Sequence, residues 1–186
     1  MPKKSIIIAG VPRSGKTQLS RRLAKETSMS HCSVDAFVSA FEVAYPDMDL
    51  TGVTIRPGDL NKKMDKFFFS FIEEMDYEKI PFILDTCHTM PSRFTERNLL
   101  DKYNIIFIGY TDIKVEDKLK IIRKYSDEFD WTNKRDDADI SKLIEEFIDV
   151  SKMIKKECLE HNIPYFDTSE NFEDAIDQAY REITKG

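Results

Sequence analysis

Three absences exclude broad classes of protein. The 186 residues include only three cysteines, Cys32, Cys87 and Cys158, with no C-x-x-C spacing, so neither a disulfide framework nor a zinc site is indicated. No apolar run approaches the ~18 residues of a membrane span. The opening Met-Pro-Lys-Lys leads straight into an apolar segment and leaves no room for a signal peptide. We therefore expect a cytoplasmic protein.

The chain also has fewer basic than acidic residues. The chain has 28 Lys and Arg against 34 Asp and Glu, a net charge of −6, whereas sequence-independent nucleic-acid binding relies on a basic surface. We therefore expect no general nucleic-acid binding, although a few local arginines can still hold a small phosphorylated substrate. At this length, a hydrophobic fraction of 41% is enough to bury one core. Residues 1–186 are interpreted as a single domain.

A phosphate-binding pattern stands near the start of the chain. It matches G-x-x-x-x-G-K-[ST] at every fixed position and consists of Gly10, Val11, Pro12, Arg13, Ser14, Gly15, Lys16 and Thr17. The glycines let backbone N–H groups converge on a polyphosphate, Lys16 reaches the β- and γ-phosphates, and the Thr17 hydroxyl is placed to ligate Mg²⁺. An apolar run precedes the loop and an amphipathic helical pattern follows it, as an anion site at a helix N-terminus requires. The pattern predicts a nucleoside triphosphate site rather than an empty glycine turn.

Strand-like and helical segments alternate along the rest of the chain. Strands are predicted near 5–10, 31–34, 81–84, 105–109 and 163–167. The intervening helices are predicted near 16–28, up to about 77, from Pro91, and near 114–125, 139–161 and 171–184. This βαβ order predicts an α/β protein, a three-layer α/β/α sandwich with a five-stranded parallel sheet. In such a sheet, ligands bind at the carboxyl ends of the strands.

Acidic residues follow two of the predicted strands. Asp35 comes after the second strand and Asp85 after the third. A carboxylate at this point either binds Mg²⁺ or accepts a proton from an attacking hydroxyl. Asp85 follows the purer apolar run and is interpreted as a metal-shell carboxylate, which makes Thr17 and Asp85 the predicted metal-binding residues. The alternative is that each acid only caps the helix that follows it.

The segment after Asp85 contains further polar candidates. Thr86, His88 and Arg93 lie where an acceptor pocket is expected, although a histidine is also commonly structural and Arg93 begins a helix. Cys87 is interpreted as a small buried hydrophobe rather than a nucleophile, because no matched His-Asp pair is evident in the sequence.

The loop, the two acids and a charged late insertion together resemble the P-loop small-molecule kinases, the group of adenylate kinase, shikimate kinase and the nucleoside kinases. Only the loop is a specific sequence match. The resemblance implies the P-loop NTPase fold, with a helical substrate insert at about 36–78 and a mobile lid at about 123–138. It also implies ATP, Mg²⁺ and a small-molecule acceptor contacted by Asp35. Lid arginines would embrace the transferring phosphoryl group, with Arg123 and Arg135 as candidates and Lys124 and Lys134 behind them.

The lid interpretation also has a physical basis. Phosphoryl transfer spreads negative charge over the transferred oxygens, so cations must close over the group and exclude water. Segment 122–137 is polar, mixed in charge and inserted between two helices. Its alternative is a solvated loop anchored by Trp131, the only tryptophan of the chain. The predicted catalytic set is Lys16, Asp35, Arg123 and Arg135.

One short motif points to a different nucleotide. Asn133-Lys134-Arg135-Asp136 reads as N-K-x-D, the guanine-selecting signature of GTPases, but no apolar strand precedes it and no D-x-x-G follows the third strand. ATP is therefore expected, with adenine between the base of the lid and residues 167–171.

Two function classes remain: a kinase with a small-molecule acceptor, and a regulatory ATPase module without one. A chain of 186 residues has little space for the extra domains of mechanical ATPases, which favours the kinase. The acceptor is not readable from the sequence, and the protein is expected to be a monomer or a homodimer.

Overall fold

The structure is a computed structural model that describes residues 4–48, 62–126, 128 and 130–185. Five parallel strands form one sheet in the order β2-β3-β1-β4-β5. Their bounds are β1 Ile6–Gly10, β2 Ser30–Ser33, β3 Phe82–Thr86, β4 Asn104–Gly109 and β5 Tyr165–Asp167. The predicted five-stranded parallel sheet is confirmed.

Seven α-helices are present in the described part of the chain. Their bounds are α1 Lys16–Thr27, α2 Val34–Ala44, α3 Lys62–Tyr77, α4 Pro91–Glu96, α5 Val115–Tyr125, α6 Asp137–His161 and α7 Phe172–Thr184. Two short 3-10 helices are also present, Pro46–Met48 after α2 and Trp131–Lys134 before α6. Residues 49–61 of the predicted substrate insert, and residues 127 and 129 of the predicted lid, lie outside the described residues. No helix among the described residues is long and apolar enough to cross a membrane.

Each face of the sheet is covered by its own apolar cluster, because successive side chains of a strand point to opposite faces. Ile7 and Ala9 of β1 belong to the larger cluster, to which α3, α4 and α6 contribute. Ile6 and Ile8 belong to the smaller cluster, with α1 and α7. Helices therefore cover both faces, and the α/β/α sandwich is confirmed.

The position of one of the two predicted strand-end acids needs correction. β2 ends at Ser33, so Asp35 lies in the first turn of α2 rather than at the end of the strand. Asp85 is the penultimate residue of β3, at the carboxyl end of the strand as predicted, and lies opposite Ser33 of β2. Its buried carboxylate is hydrogen-bonded to His31 and Ser33 of the neighbouring strand.

Two glycines let the loop after β1 pass close to other elements. Gly10 has φ 132°, and a β carbon there would lie 1.9 Å from the carbonyl oxygen of Ile108 on β4. Gly15 has φ 100°, and its β carbon would lie 2.8 Å from side-chain atoms of Phe172 and Ile176 on α7. A larger residue at either position would combine an unfavourable backbone conformation with a steric clash. The loop is thus held directly against β4 and α7.

Candidate active site

The phosphate-binding loop connects β1 to the N-terminus of α1, as its sequence pattern requires. Gly15 is the residue that precedes α1, so the unpaired N–H groups of the first helical turn begin at Lys16. The Lys16 ammonium donates a hydrogen bond of 2.7 Å to the carbonyl oxygen of Val11 and is thereby folded back over the loop. Ser14 Oγ is buried and has no hydrogen-bond partner among the described residues. The loop therefore holds polar groups that a bound anion would satisfy.

The loop opens into a cavity of about 820 Å³. It is lined by residues 12–18, by Asp35 and by residues 170–173, which follow β5 and begin α7. Ile121 and Tyr125 of α5, with Trp131, also line the cavity. A volume of this size matches a small-molecule site, with polar groups for phosphates and apolar side chains for a ring.

Three cations lie around the loop: Arg13 and Lys16, which line the cavity, and Lys118 of α5, which contacts the loop. Lys118 is 3% exposed, and its ammonium donates a hydrogen bond of 2.9 Å to the carbonyl oxygen of Arg13. It also lies 3.9 Å above the Tyr110 ring, whose hydroxyl donates to the carbonyl oxygen of Pro12. Burial, and then the charges of Arg13 and Lys16, lower the pKa of Lys118 to about 8. Although Arg13 is paired with Asp130, the remaining positive charge at a loop of this shape is the electrostatic complement of a polyphosphate.

The lowered pKa of Lys118 makes nucleotide binding measurable as proton uptake. The free protein releases the Lys118 proton as the pH rises through about 8, whereas an ordinary lysine keeps it to about 10.5. Phosphate charge offsets the repulsion from Arg13 and Lys16 and raises the pKa of Lys118. The buried hydroxyl of Tyr110 and the Asp130 partner of Arg13 do not reverse this sign, because both are already present in the free protein.

We therefore expect ATP binding between pH 8 and pH 10 to take up a substantial fraction of one proton. Titration calorimetry in buffers of different ionisation enthalpy measures this uptake. Lys118→Met should remove it, while Lys124→Met, at an exposed position of the same helix, should retain it. Equal proton uptake by the wild type and Lys118→Met would contradict the assignment.

Asp35 lines the cavity and belongs to a small polar cluster. Its Oδ1 lies 2.9 Å from Nε2 of His88 and accepts a hydrogen bond of 3.3 Å from the Cys87 thiol. Its side chain is 61% exposed because one side faces the cavity, while protein atoms surround the other. Burial alone would raise the pKa of Asp35, but the His88 hydrogen bond and the Lys16 charge outweigh it and lower the pKa to about 2. Asp35 is therefore ionised at neutral pH.

Asp85 is buried beneath the site rather than open to it. It is 1% exposed, and its two oxygens lie 2.7 Å from His31 Nε2 and 2.8 Å from Ser33 Oγ. Asp85 is not among the described residues that line the cavity, whereas Thr17 is exposed and lines it. Each carboxylate oxygen accepts one hydrogen bond and retains a second lone pair that could bind a metal ion. The predicted role of Asp85 as a ligand of Mg²⁺ stays a prediction.

The predicted lid lies against the phosphate-binding loop. The Arg13 guanidinium pairs with Asp130 and also donates to the carbonyl oxygen of Ile122 and to Ser126 Oγ, at 3.4 and 3.3 Å. Asp130 in turn caps the 3-10 helix Trp131–Lys134 by accepting from the Thr132 N–H. The variable loop position Arg13 thus joins the nucleotide loop to the charged segment.

The two predicted lid arginines are held within that segment. Arg123 donates to Asp137 and to the carbonyl oxygens of Thr132 and Arg135, at 2.7 to 2.9 Å. The Arg135 guanidinium lies 5.9 Å from the centre of the Trp131 ring. Neither arginine is among the described residues that line the cavity. Their proposed role in catalysis therefore requires the segment to rearrange.

The N-K-x-D match lies in a context that does not suit guanine recognition. Asn133 and Lys134 end a 3-10 helix, and the Asp136 carboxylate caps α6 by accepting from the Asp139 N–H. In a guanine site, the corresponding Asp follows a buried strand. The sequence-based rejection of this motif is consistent with the structure.

Sequence reasoning missed Lys118 and the partnership of Asp35 with Cys87. A signal for Lys118 was present, since it stands four residues before the buried Ile122 and therefore on the apolar face of α5. A lysine on such a face is rarely buried without a functional or pairing reason. The Asp35 cluster had no local signal, because Asp35 is more than fifty residues from Cys87 and His88 along the chain.

Comparisons with known proteins identify the fold of the chain through solved structures of low sequence identity. No protein-family model matches the chain, and neither does any curated protein. Among solved structures, shikimate kinase from Bacteroides thetaiotaomicron has 12% identity and a TM-score of 0.61, covering 98% of this chain and 99% of its own. A gluconokinase from Sinorhizobium meliloti 1021 has 12% identity and a TM-score of 0.62, covering 99% and 93%. A sugar kinase from Janibacter sp. HTCC2649 has 17% identity and a TM-score of 0.61, covering 98% and 96%. The fold of the chain is that of the P-loop small-molecule kinases.

Proposed function

We propose that this protein is an ATP-dependent kinase that transfers the γ-phosphoryl group to a hydroxyl of a small-molecule acceptor. The observation that carries the proposal is one cavity shared by two kinds of group. Lys16 and its loop supply the cations and N–H donors that a triphosphate needs, and Asp35 supplies an ionised carboxylate in the same cavity. Nucleotide binding alone does not require such a carboxylate, whereas an acceptor hydroxyl needs a hydrogen-bond acceptor to orient it.

The proposed reaction is an in-line displacement at the γ-phosphorus. The acceptor oxygen forms the new O–P bond as the bond to the β–γ bridging oxygen breaks, and ADP leaves with that oxygen. Lys16 and the loop N–H groups neutralise charge on the phosphates, with Lys118 behind them. The acceptor proton is hydrogen-bonded to Asp35 before transfer and is released to solvent once the new O–P bond has formed.

The low pKa of Asp35 defines its contribution to the reaction. A carboxylate with a pKa of about 2 is a weak base at neutral pH, so it would not hold the acceptor proton. It accepts a hydrogen bond from the acceptor hydroxyl and orients the oxygen toward phosphorus. Positioning of this kind suffices for a loose phosphoryl-transfer transition state, in which little nucleophile activation is needed.

The residues near the loop suit Mg²⁺ as the metal partner of ATP. Magnesium prefers oxygen ligands, and it is commonly bound by one or two protein groups together with substrate phosphates. We propose the exposed Thr17 hydroxyl and the Asp85 carboxylate as the protein groups that would hold the Mg²⁺ ion. When bound, Mg²⁺ would neutralise charge on the β- and γ-phosphates.

We propose that the segment of about 123–138 acts as the lid, with Arg13 and Asp130 as its link to the loop. Arg123 and Arg135 would approach the phosphates only after the segment moves, since both are engaged within it. The ring of adenine would lie near Ile121 and Tyr125, which line the same cavity as residues 170–173.

ATP turnover with and without candidate acceptors tests the proposal. Purified protein with ATP and Mg²⁺ should form ADP slowly alone and at least about tenfold faster with the correct acceptor, because chemistry requires both substrates in one geometry. Sugars, small hydroxy acids, nucleosides and nucleotides form the panel, and thermal shift with a non-hydrolysable ATP analogue selects its members. Fast ADP formation without any acceptor would instead favour the regulatory ATPase module.

A further inference from the structure

The cluster that includes Asp35, the proposed acceptor-orienting residue, has the composition of a transition-metal site. Asp35, Cys87 and His88 converge through single atoms, Oδ1, Sγ and Nε2, and form the one group of at least three potential ligands found in the described part of the chain. Thiolate, imidazole and carboxylate together are the ligand set of zinc-class ions, whereas Mg²⁺ takes oxygen ligands only. The donor set alone therefore favours a different metal from the one proposed for ATP.

The spacing of the three atoms agrees with tetrahedral coordination. Bonds of about 2.0 to 2.3 Å meeting at tetrahedral angles place neighbouring ligand atoms about 3.3 to 3.6 Å apart. The distances are 3.6 Å from Cys87 Sγ to His88 Nε2 and 3.3 Å from Cys87 Sγ to Asp35 Oδ1. The third, from His88 Nε2 to Asp35 Oδ1, is 2.9 Å and must open by a few tenths of an ångström.

The backbone around the cluster holds these atoms in place. His88 follows β3 in a turn in which its N–H donates to Thr86 Oγ1 at 3.0 Å, and Cys87 and His88 are both buried. Asp35 approaches from the first turn of α2, and its exposed side faces the cavity. Two buried ligands and one that faces open space leave a coordination position for water or a ligand, as in three-ligand zinc sites.

We propose that Asp35, Cys87 and His88 form a binding site for a zinc-class divalent ion. Metal coordination replaces the hydrogen bond between His88 and Asp35. The Cys87 thiol proton, and any proton carried by His88 Nε2, are released to solvent. His88 Nδ1 has no hydrogen-bond partner among the described residues, so the outer-shell support of a high-affinity site is missing there. The nearby charge of Lys16 also opposes a dication. Binding is therefore expected in the micromolar range.

Cobalt substitution tests the site without reference to kinase activity. Untagged protein, reduced with a phosphine, is titrated with Co²⁺ alone. A thiolate-to-cobalt charge-transfer band and tetrahedral d–d bands are expected at one equivalent, and Zn²⁺ should displace both. Cys87→Ser should abolish the charge-transfer band, while Cys32→Ser, at a partly exposed cysteine outside the cluster, should keep it.

Asp35→Asn provides a variant that keeps the fold, because the side chain is mostly exposed and its shape is unchanged. It should weaken Zn²⁺ binding, measured by competition with a chromogenic chelator, by more than about tenfold. A wild-type protein without the charge-transfer band, a band that survives in Cys87→Ser, or equal Zn²⁺ affinity in Asp35→Asn would each overturn the site. In that event the three side chains form only a hydrogen-bonded group.

Discussion

Lys16→Ala should lower kcat for phosphoryl transfer by about 10³-fold and weaken ATP binding as well. The Lys16 ammonium lies over the loop, bonded to the Val11 carbonyl, and alanine removes the cation nearest to the proposed phosphates. Arg13 and Lys118 do not replace it, because one is paired with Asp130 and the other is buried against Tyr110. The loss therefore affects both the bound state and the transition state.

Steady-state kinetics and direct binding of an ATP analogue separate these two effects. Lys25→Ala is the matched control, since Lys25 is an exposed lysine in the last turn of the same helix. Thermal unfolding of both variants verifies that the fold is retained. Turnover of Lys16→Ala within a few fold of the wild type would exclude a role for this lysine in the chemistry.

Asp35→Asn should lower kcat by about 10²-fold or more while leaving ATP affinity nearly unchanged. Asparagine keeps the shape of the side chain and removes the charge that we propose orients the acceptor hydroxyl. Residues 10–17 of the loop do not depend on this side chain for any hydrogen bond found among the described residues. The variant therefore discriminates between an acceptor role and a nucleotide role for Asp35.

Measuring kcat, the acceptor KM and the ATP-analogue Kd for Asp35→Asn completes this test. Asp149→Asn is the control, because Asp149 is an exposed aspartate on α6 that pairs only with the neighbouring Lys152 in the described contacts. If the Kd of the ATP analogue rises by as large a factor as kcat falls, Asp35 acts in nucleotide binding rather than on the acceptor. Near-normal kcat would remove it from the reaction.

The two acids have the same sequence context but different surroundings. Both were predicted at strand ends, yet Asp85 is buried in β3 and Asp35 faces the cavity from α2. The sequence pattern could not distinguish a buried acid from an accessible one, because burial of Asp85 depends on partners in the neighbouring strand. His31 and Ser33 of β2 supply those partners by hydrogen-bonding the Asp85 carboxylate.

For the charged segment of about 123–138, the sequence likewise did not reveal which partners its cations contact. Its arginines were predicted as catalytic from charge and order of elements, and whether they act in catalysis stays a prediction. Their present partners, Asp137 for Arg123 and the Trp131 ring for Arg135, lie in the same segment. A run of mixed charges does not reveal which charges pair with each other. Arg13, a variable position of the loop, is the cation that links the loop to the segment.

The sequence by itself determined the glycine-containing loop between β1 and α1 and the α/β sandwich. Both follow from local information: eight consecutive residues of the loop carry the phosphate geometry, and the period of apolar residues distinguishes strands from helices. Only the tertiary structure decided what surrounds Asp35, because Cys87 and His88 follow it by 52 and 53 residues. Strand order brings β3 and α2 together, and no local pattern encodes that contact. The position of Lys118 on the apolar face of α5 was a local signal for its burial, but its contact with the Arg13 carbonyl oxygen depends on how α5 packs on the loop.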